Sequence, residues 1–335
     1  MRLTAAPSGF VDEIQKHLCP RQRKTNGLKP RQIDLSQGAL LQMIREFALE
    51  ELDAAGETAT TRARHADHYR RLGLELEPLL TEDPGGTAIQ RLTEENDNLR
   101  GALRFSLEAG EADGGLTLAA AIWRYWQCTE QLTEGRELVE ALLSHPSASD
   151  AYRTKGLAAV AGLAYWQADY DAAWARYEEA LGLQRAAGDR AEEADTLYAM
   201  SLTSLWQGRL DVGDSLADEA LALFQELGSR AGVGRGLFVK ASALFFRRDF
   251  EQTYAPWVES MNIAAECGDR ALELTMFAGL AALEHHLRRP DEALRVAQTG
   301  LERARQARNT HVVVWMLDLI AAFTAEASPV EAVVL

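Results

Sequence analysis

Several residue groups in this chain have the types and spacing that chemistry uses. His65 and His68 stand three apart, close enough on one helix face to share a metal ion. No third ligand accompanies them, so they read as surface or packing histidines. His285 and His286 are adjacent, diverge by about 100° on a helix, and cannot readily chelate together. Gly232-Val233-Gly234-Arg235-Gly236 has the density of a dinucleotide loop but no strand before it, and close helix packing explains it better. Glu178-Glu179 and Glu192-Glu193 suit a solvated helix face. Cys19, Cys128 and Cys267 form no C-x-x-C pair and read as free thiols of a reducing compartment. No G-x-x-x-x-G-K-[ST] occurs, and no Lys follows a Gly, so a phosphate cradle is missing from these residues. No Ser/His/Asp or Cys/His set can be assembled from spacing. The expectation is a non-enzyme with no catalytic residue, metal or cofactor.

Recognition chemistry remains. Tyr165-Trp166, Leu205-Trp206, Phe245-Phe246 and His285-His286 recur at one constant spacing, with Tyr125-Trp126 one step before them. Adjacent residues diverge on a helix, so one member of each pair can pack while the other faces outward. Lys155, Asp195 and Arg235 share another position of the same frame.

The elements that must hold these pairs are also periodic. Ala187-Gly188-Asp189-Arg190-Ala191, Leu227-Gly228-Ser229-Arg230-Ala231 and Cys267-Gly268-Asp269-Arg270-Ala271 recur with that same period, and a degraded copy follows at Ala307-Arg308-Asn309-Thr310-His311. A period of about 40 residues lies in the range of helical repeat arrays. The glycines suit a left-handed helix end. Asp189, Ser229, Asp269 and Asn309 suit the N-cap of the next helix, and Glu192 would complete a capping box with Asp189. A second break falls midway, at Ala168-Asp169-Tyr170, Gly208-Arg209-Leu210, Arg248-Asp249-Phe250 and Arg288-Arg289-Pro290-Asp291. Each unit is therefore two helices. After the second break, mostly small residues recur at i, i+4 and i+7: Ala173, Tyr177, Ala180; Gly213, Ala217, Ala220; Thr253, Trp257, Ser260; Ala293, Ala297, Gly300.

This pattern resembles the tetratricopeptide repeat, most closely in the segment Ala168 to Leu181. The period exceeds the family's usual length of about 34 residues, which implies longer helices. The fold class expected is all-α: a right-handed superhelical array of antiparallel helix pairs. Four units fill 151–310, and Val314, Leu317 and Ile320 mark 311–327 as the first helix of a fifth. Residues 111–150 read as a divergent repeat or a helical adaptor, because the step from Leu132 to Tyr170 falls two short of the period. The resemblance implies that the aromatic pairs line a concave groove, with Lys155, Asp195 and Arg235 on its rim.

Upstream, Leu40, Met43, Ile44 and Phe47 form a helical stripe. A helix is expected near 58–80, with Ala66, Tyr69, Leu72 and Leu76 on one face. A break follows at Thr81 to Gly86, then one helix over 87–109 and a loop over Glu111 to Gly115. Met43-Ile44-Arg45-Glu46-Phe47-Ala48 and Asn96-Asp97-Asn98-Leu99-Arg100-Gly101-Ala102-Leu103 resemble two ordered phrases of the STAND-class ATPases, many of which are LuxR-type or related bacterial transcription regulators. The resemblance implies that 36–110 is the end of a winged-helix region and that the chain is the sensor part without its ATPase. A free-standing tetratricopeptide adaptor is the alternative.

The net charge of −15 disfavours direct nucleic-acid binding. The charge is uneven: residues 1–33 hold seven basic side chains against Asp12 and Glu13, and three of the five lysines. Residues 1–35 are expected to be a basic, poorly ordered leader. No apolar run is long enough for a membrane span, and a cytoplasmic location is expected. The expected partner is a protein or peptide, or a small apolar effector, held in the groove.

Overall fold

A computed structural model describes residues 46–48, 50–82, 86–307 and 309–327. The expected leader at 1–35 lies outside the described residues, as does most of the stripe from Leu40 to Phe47. Two compact units divide between Thr58 and Ala59. In the first, residues 46–48 and 50–54 are helical.

The second unit is an all-α array of antiparallel helix pairs. Helix α1 (Thr58–Glu82) buries Ala66 and Tyr69 and half-buries Leu72 and Leu76, the face its periodicity predicts. The single helix expected over 87–109 is two, α2 (Thr87–Glu94) and α3 (Asn96–Glu108). A tertiary contact marks the break at Glu95. Its carboxylate accepts from the Tyr69 hydroxyl and from the Asn98 amide, each at 2.8 Å. The loop expected over Glu111 to Gly115 is shorter, because α4 (Ala112–Cys128) already starts at Ala112. Gly115 is not a turn residue. It is buried where a Cβ would meet Leu142 at 2.5 Å and Ser106 at 2.9 Å.

Helix α5 (Leu132–Leu143) returns against α4. Four pairs follow: α6 (Asp150–Trp166) with α7 (Tyr170–Ala187), α8 (Arg190–Trp206) with α9 (Leu210–Glu226), α10 (Arg230–Phe246) with α11 (Phe250–Cys267), and α12 (Arg270–His286) with α13 (Pro290–Gln306). Helix α14 (Thr310–Ala327) packs on α12 and α13.

Both punctuation marks behave as their residues dictate. Gly188, Gly228 and Gly268 have φ of 70°, 65° and 74°. The amides of Asp189, Ser229 and Asp269 return to the carbonyls of Gln184, Phe224 and Ala264, closing the preceding helix. Their side chains then cap the next helix, accepting from the amides of Glu192, Gly232 and Leu272. Glu192 completes no capping box, because the Asp189 amide it would take is already bonded to Gln184.

The small-residue faces of α7, α9, α11 and α13 are buried. A Cβ on Gly213 would stand 2.8 Å from Leu205, and one on Gly300 would stand 2.7 Å from Met316. Gly232, Gly234 and Gly236 lie buried inside α10 against Phe224, Ile263 and Leu221, so this glycine run is a packing device.

Candidate functional site

The first helix of each pair presents one strip that is incompletely buried, apart from Gly162 and Ser242 in its floor. On α6 the strip is Lys155, Ala158, Gly162 and Trp166; on α8, Asp195, Ala199, Leu202 and Trp206. On α10 it is Arg235, Phe238, Ser242 and Phe246; on α12, Thr275, Ala282 and His286, with Gly279 between them covered by Trp257 of α11. These spacings keep to one side of a helix. Each strip spans about 16 Å from end to end at a rise of about 1.5 Å per residue.

At the end beside the within-pair turns stands the aromatic row. Trp166, Trp206 and Phe246 are 41%, 53% and 37% exposed, and His286 is exposed. Their neighbours turn inward: Leu205 is buried, and Tyr165, Phe245 and His285 are half-buried. The rings touch in sequence along the array. Trp206 stacks on Tyr170 and meets Phe246 edge-on at 5.2 Å, and its Nε1–H donates to the Tyr165 hydroxyl at 2.7 Å. Burial pushes the Tyr165 phenol above its usual range. Phe245 meets Phe250 and His286 edge-on, and Phe250 stacks on His286 at 4.5 Å. Burial, His285, Arg248 and Arg288 hold His286 below the ordinary histidine pKa.

The opposite end is ionic. Arg235 Nη1 lies 2.7 Å from Asp195 Oδ1, and its guanidinium covers Phe224 at 5.1 Å. Burial raises the Asp195 carboxyl against the pull of Arg235 and Arg124, although 45% of its side chain is solvent-accessible. A group crowded by protein yet reached by water sits on a concave surface. Burial also raises Glu192, assisted by Asp195 and Asp189 and opposed by Lys155. Tyr198 is pushed up to about 12 by burial, with Arg235 and Arg124 opposing. Arg124 of α4 thus contributes to the electrostatics of Asp195 and Tyr198 on α8.

Tyr125 and Trp126 do not extend the row, and this corrects the sequence reading. Both are buried. The structural offset of this unit is two short of the period: Glu130, with φ of 59°, occupies the left-handed turn position that Ala168 holds with the same φ. At that offset Tyr125 and Trp126 match buried Leu163 and Ala164. A two-residue slip rotates a side chain by about 200° and turns it from one face to the other. Gln127 and Cys128 occupy the positions of Tyr165 and Trp166, and Arg124 occupies that of Gly162.

Arg124, Glu192 and Tyr198 were not among the sequence candidates, nor were Tyr170 and Phe250 of the second helices. Only the shortened offset, read from Leu132, pointed toward Arg124.

No family model matches the chain. A Mycobacterium tuberculosis protein that carries the name of an HTH-type transcriptional regulator is 32% identical over 161 residues, covering 45% of this chain and 18% of that protein. A Mycobacterium bovis relative of the same description matches equally. The chain thus spans 18% of the length of the curated relatives it matches. Among solved structures, a Rap protein complexed with Competence and Sporulation Factor aligns with a TM-score of 0.58 at 12% identity, covering 82% of this chain and 74% of that one. A STAND protein with a tetratricopeptide repeat sensor from Pyrococcus horikoshii aligns at 0.52 and 14% identity, covering 87% and 44%. NprR in complex with its cognate peptide NprX aligns at 0.51 and 12% identity, covering 76% and 72%. These likenesses establish the helical-repeat fold.

Proposed function

We propose that the chain is the sensor part of a bacterial signal-transduction or transcription regulator of the STAND or LuxR-related kind. It holds a peptide or an extended protein segment along the inner strip of α6, α8, α10 and α12. The observation that carries this reading is the strip itself. Exposed rings form one edge, an Asp195–Arg235 ion pair forms the other, and small residues such as Ala158, Ser242 and Ala282 floor the space between. A width of about 16 Å accommodates an extended peptide with its side chains. Exposed aromatics beside a concavity are the side chains that contribute most when a partner covers them.

Three likenesses support the regulatory setting. The two phrases around Met43 and Asn96 resemble those of STAND-class regulators. The mycobacterial relatives carry a transcription-regulator name, and two structural neighbours are complexes with a named factor or a cognate peptide. With no phosphate-cradle motif in these residues, nucleotide-driven work in such a regulator falls to other parts of it. The purified chain should accordingly show no ATP turnover; turnover abolished by a single substitution within it would overturn that.

Selection of a random hexapeptide library on the immobilised full chain tests the binding reading. Recovered peptides should bind wild type and lose at least about tenfold in affinity to Trp206→Ala, the scale of one aromatic contact. Recovery of nothing above a scrambled control would defeat it.

A further inference from the structure

Arg124 lies on the array's inner side, at the position that Gly162, Leu202, Ser242 and Ala282 hold in the following pairs. It has no carboxylate within ion-pair distance among the described residues, whereas its groove neighbour Arg235 is paired with Asp195 at 2.7 Å. Its guanidinium lies 4.7 Å from the centre of the Trp123 ring. That ring is itself fixed: a Cβ on Gly162 would stand 2.9 Å from it, so Trp123 lies flat against α6 at this glycine. Arg124 is therefore held by stacking and keeps its donors uncommitted. Its charge reaches Tyr177, Tyr198 and Asp195, although Tyr177 is buried and the Tyr198 ring packs against Arg235.

A cation with five N–H donors, held against a ring on the inner face and left without an ion-pair partner, suits a planar anion. Asp195 is too committed to Arg235 to serve as that anion. Lys155, exposed on α6 and opposed by Glu192, adds positive potential at the edge of the same space.

We propose that Arg124 anchors a carboxylate of the bound peptide. This rests on the reading of the inner strip as a peptide site. The carboxylate is either the peptide's C-terminus or an Asp or Glu side chain.

The test uses the full chain and the hexapeptide library in two forms, with free C-terminal carboxylate and with C-terminal amide. The best binder is then remade with amidation, and with each Asp or Glu replaced by its amide. One of these changes should lower affinity for wild type by roughly 10-fold to 100-fold, the scale of a charge-assisted hydrogen bond. Arg124→Gln should lower affinity for the original peptide by a similar factor and remove the difference between acid and amide forms. Arg124→Lys should restore part of that difference. A thermal melt of each variant checks that the fold persists; if Arg124→Gln melts early, the acid-versus-amide comparison on wild type and Arg124→Lys decides alone. Loss on amidation assigns the terminus, and loss on side-chain replacement assigns an acidic residue. Peptides that bind equally as acids and amides, or equally to wild type and Arg124→Gln, overturn the anchor and leave the groove standing. No binder from either library form overturns the groove reading beneath it.

Discussion

Trp206 and Trp257 show how one residue type takes two roles in the same array. Trp257 is 5% exposed, donates its Nε1–H to the Met276 carbonyl at 3.1 Å, and fills the space above Gly279. Trp206 is half exposed and rests on Tyr165, Tyr170 and Phe246. Trp257→Ala should therefore cost about 3–5 kcal/mol in urea unfolding, as emptied core aromatics do. Trp206→Ala should cost less than about 2 kcal/mol, the loss of a half-buried ring and its ring contacts. Equal losses would mean that the row is packing and no groove. His286 gives a pH-dependent expectation. Its folded pKa lies below the ordinary 6.5, so the stability contributed by its neutral form is complete above that pH and is lost as pH falls through the folded value. Thermal midpoints should drop more steeply between about pH 7 and 5 in wild type than in His286→Phe. The reverse order would contradict the burial that causes the shift.

Which residues pair, cap and turn was legible because each depends on its immediate neighbours. The Gly-Asp/Ser-Arg phrase contains both a helix stop and a helix start, so its regular recurrence located the array directly. The break at Glu95 was not legible, because the contact that marks it comes from Tyr69, far back in the chain on α1. Gly115 suggested a loop because a glycine that admits a neighbouring helix reads the same as one that bends the chain. The aromatic frame failed at Tyr125 and Trp126 because a two-residue slip hardly changes a sequence match yet reverses a helix face. Arg124 escaped for the same reason, since only the shortened offset puts it at the position of Gly162. At this scale close approach is testable with paired glycines. A Cβ on Gly135 would stand 2.6 Å from the Trp126 ring, whereas Gly182 in α7 has nothing within 4 Å. Gly135→Ala should destabilise by about 1–3 kcal/mol, because α5 must lift from α4. Gly182→Ala should be neutral or stabilise by up to about 1 kcal/mol through helix propensity. Similar effects in both would remove close packing as the reason for these glycines.

For the molecule as a whole, the array uses its two sides differently. Within a pair, the arginine at the start of the first helix reaches a glutamate near the end of the second helix, as in Arg190–Glu226 at 2.5 Å and Arg230–Glu266 at 3.1 Å. Such half-exposed pairs contribute at most about 1 kcal/mol each and fade with salt. The inner strip instead presents partly exposed rings and Arg124. The basic segment at 1–33 differs in composition from the array, and its removal should leave urea unfolding of the remainder unchanged. A loss of several kcal/mol would make it part of the packed structure. The central claim is that a peptide lies along the first helices of the pairs. Hydrogen–deuterium exchange of the full chain, with and without saturating library-selected hexapeptide, tests it most directly. The account predicts slowed exchange concentrated in 155–166, 195–206 and 235–246, with little change in α7, α9 and α11. Protection confined to those second helices, or no protection under saturation, would contradict it.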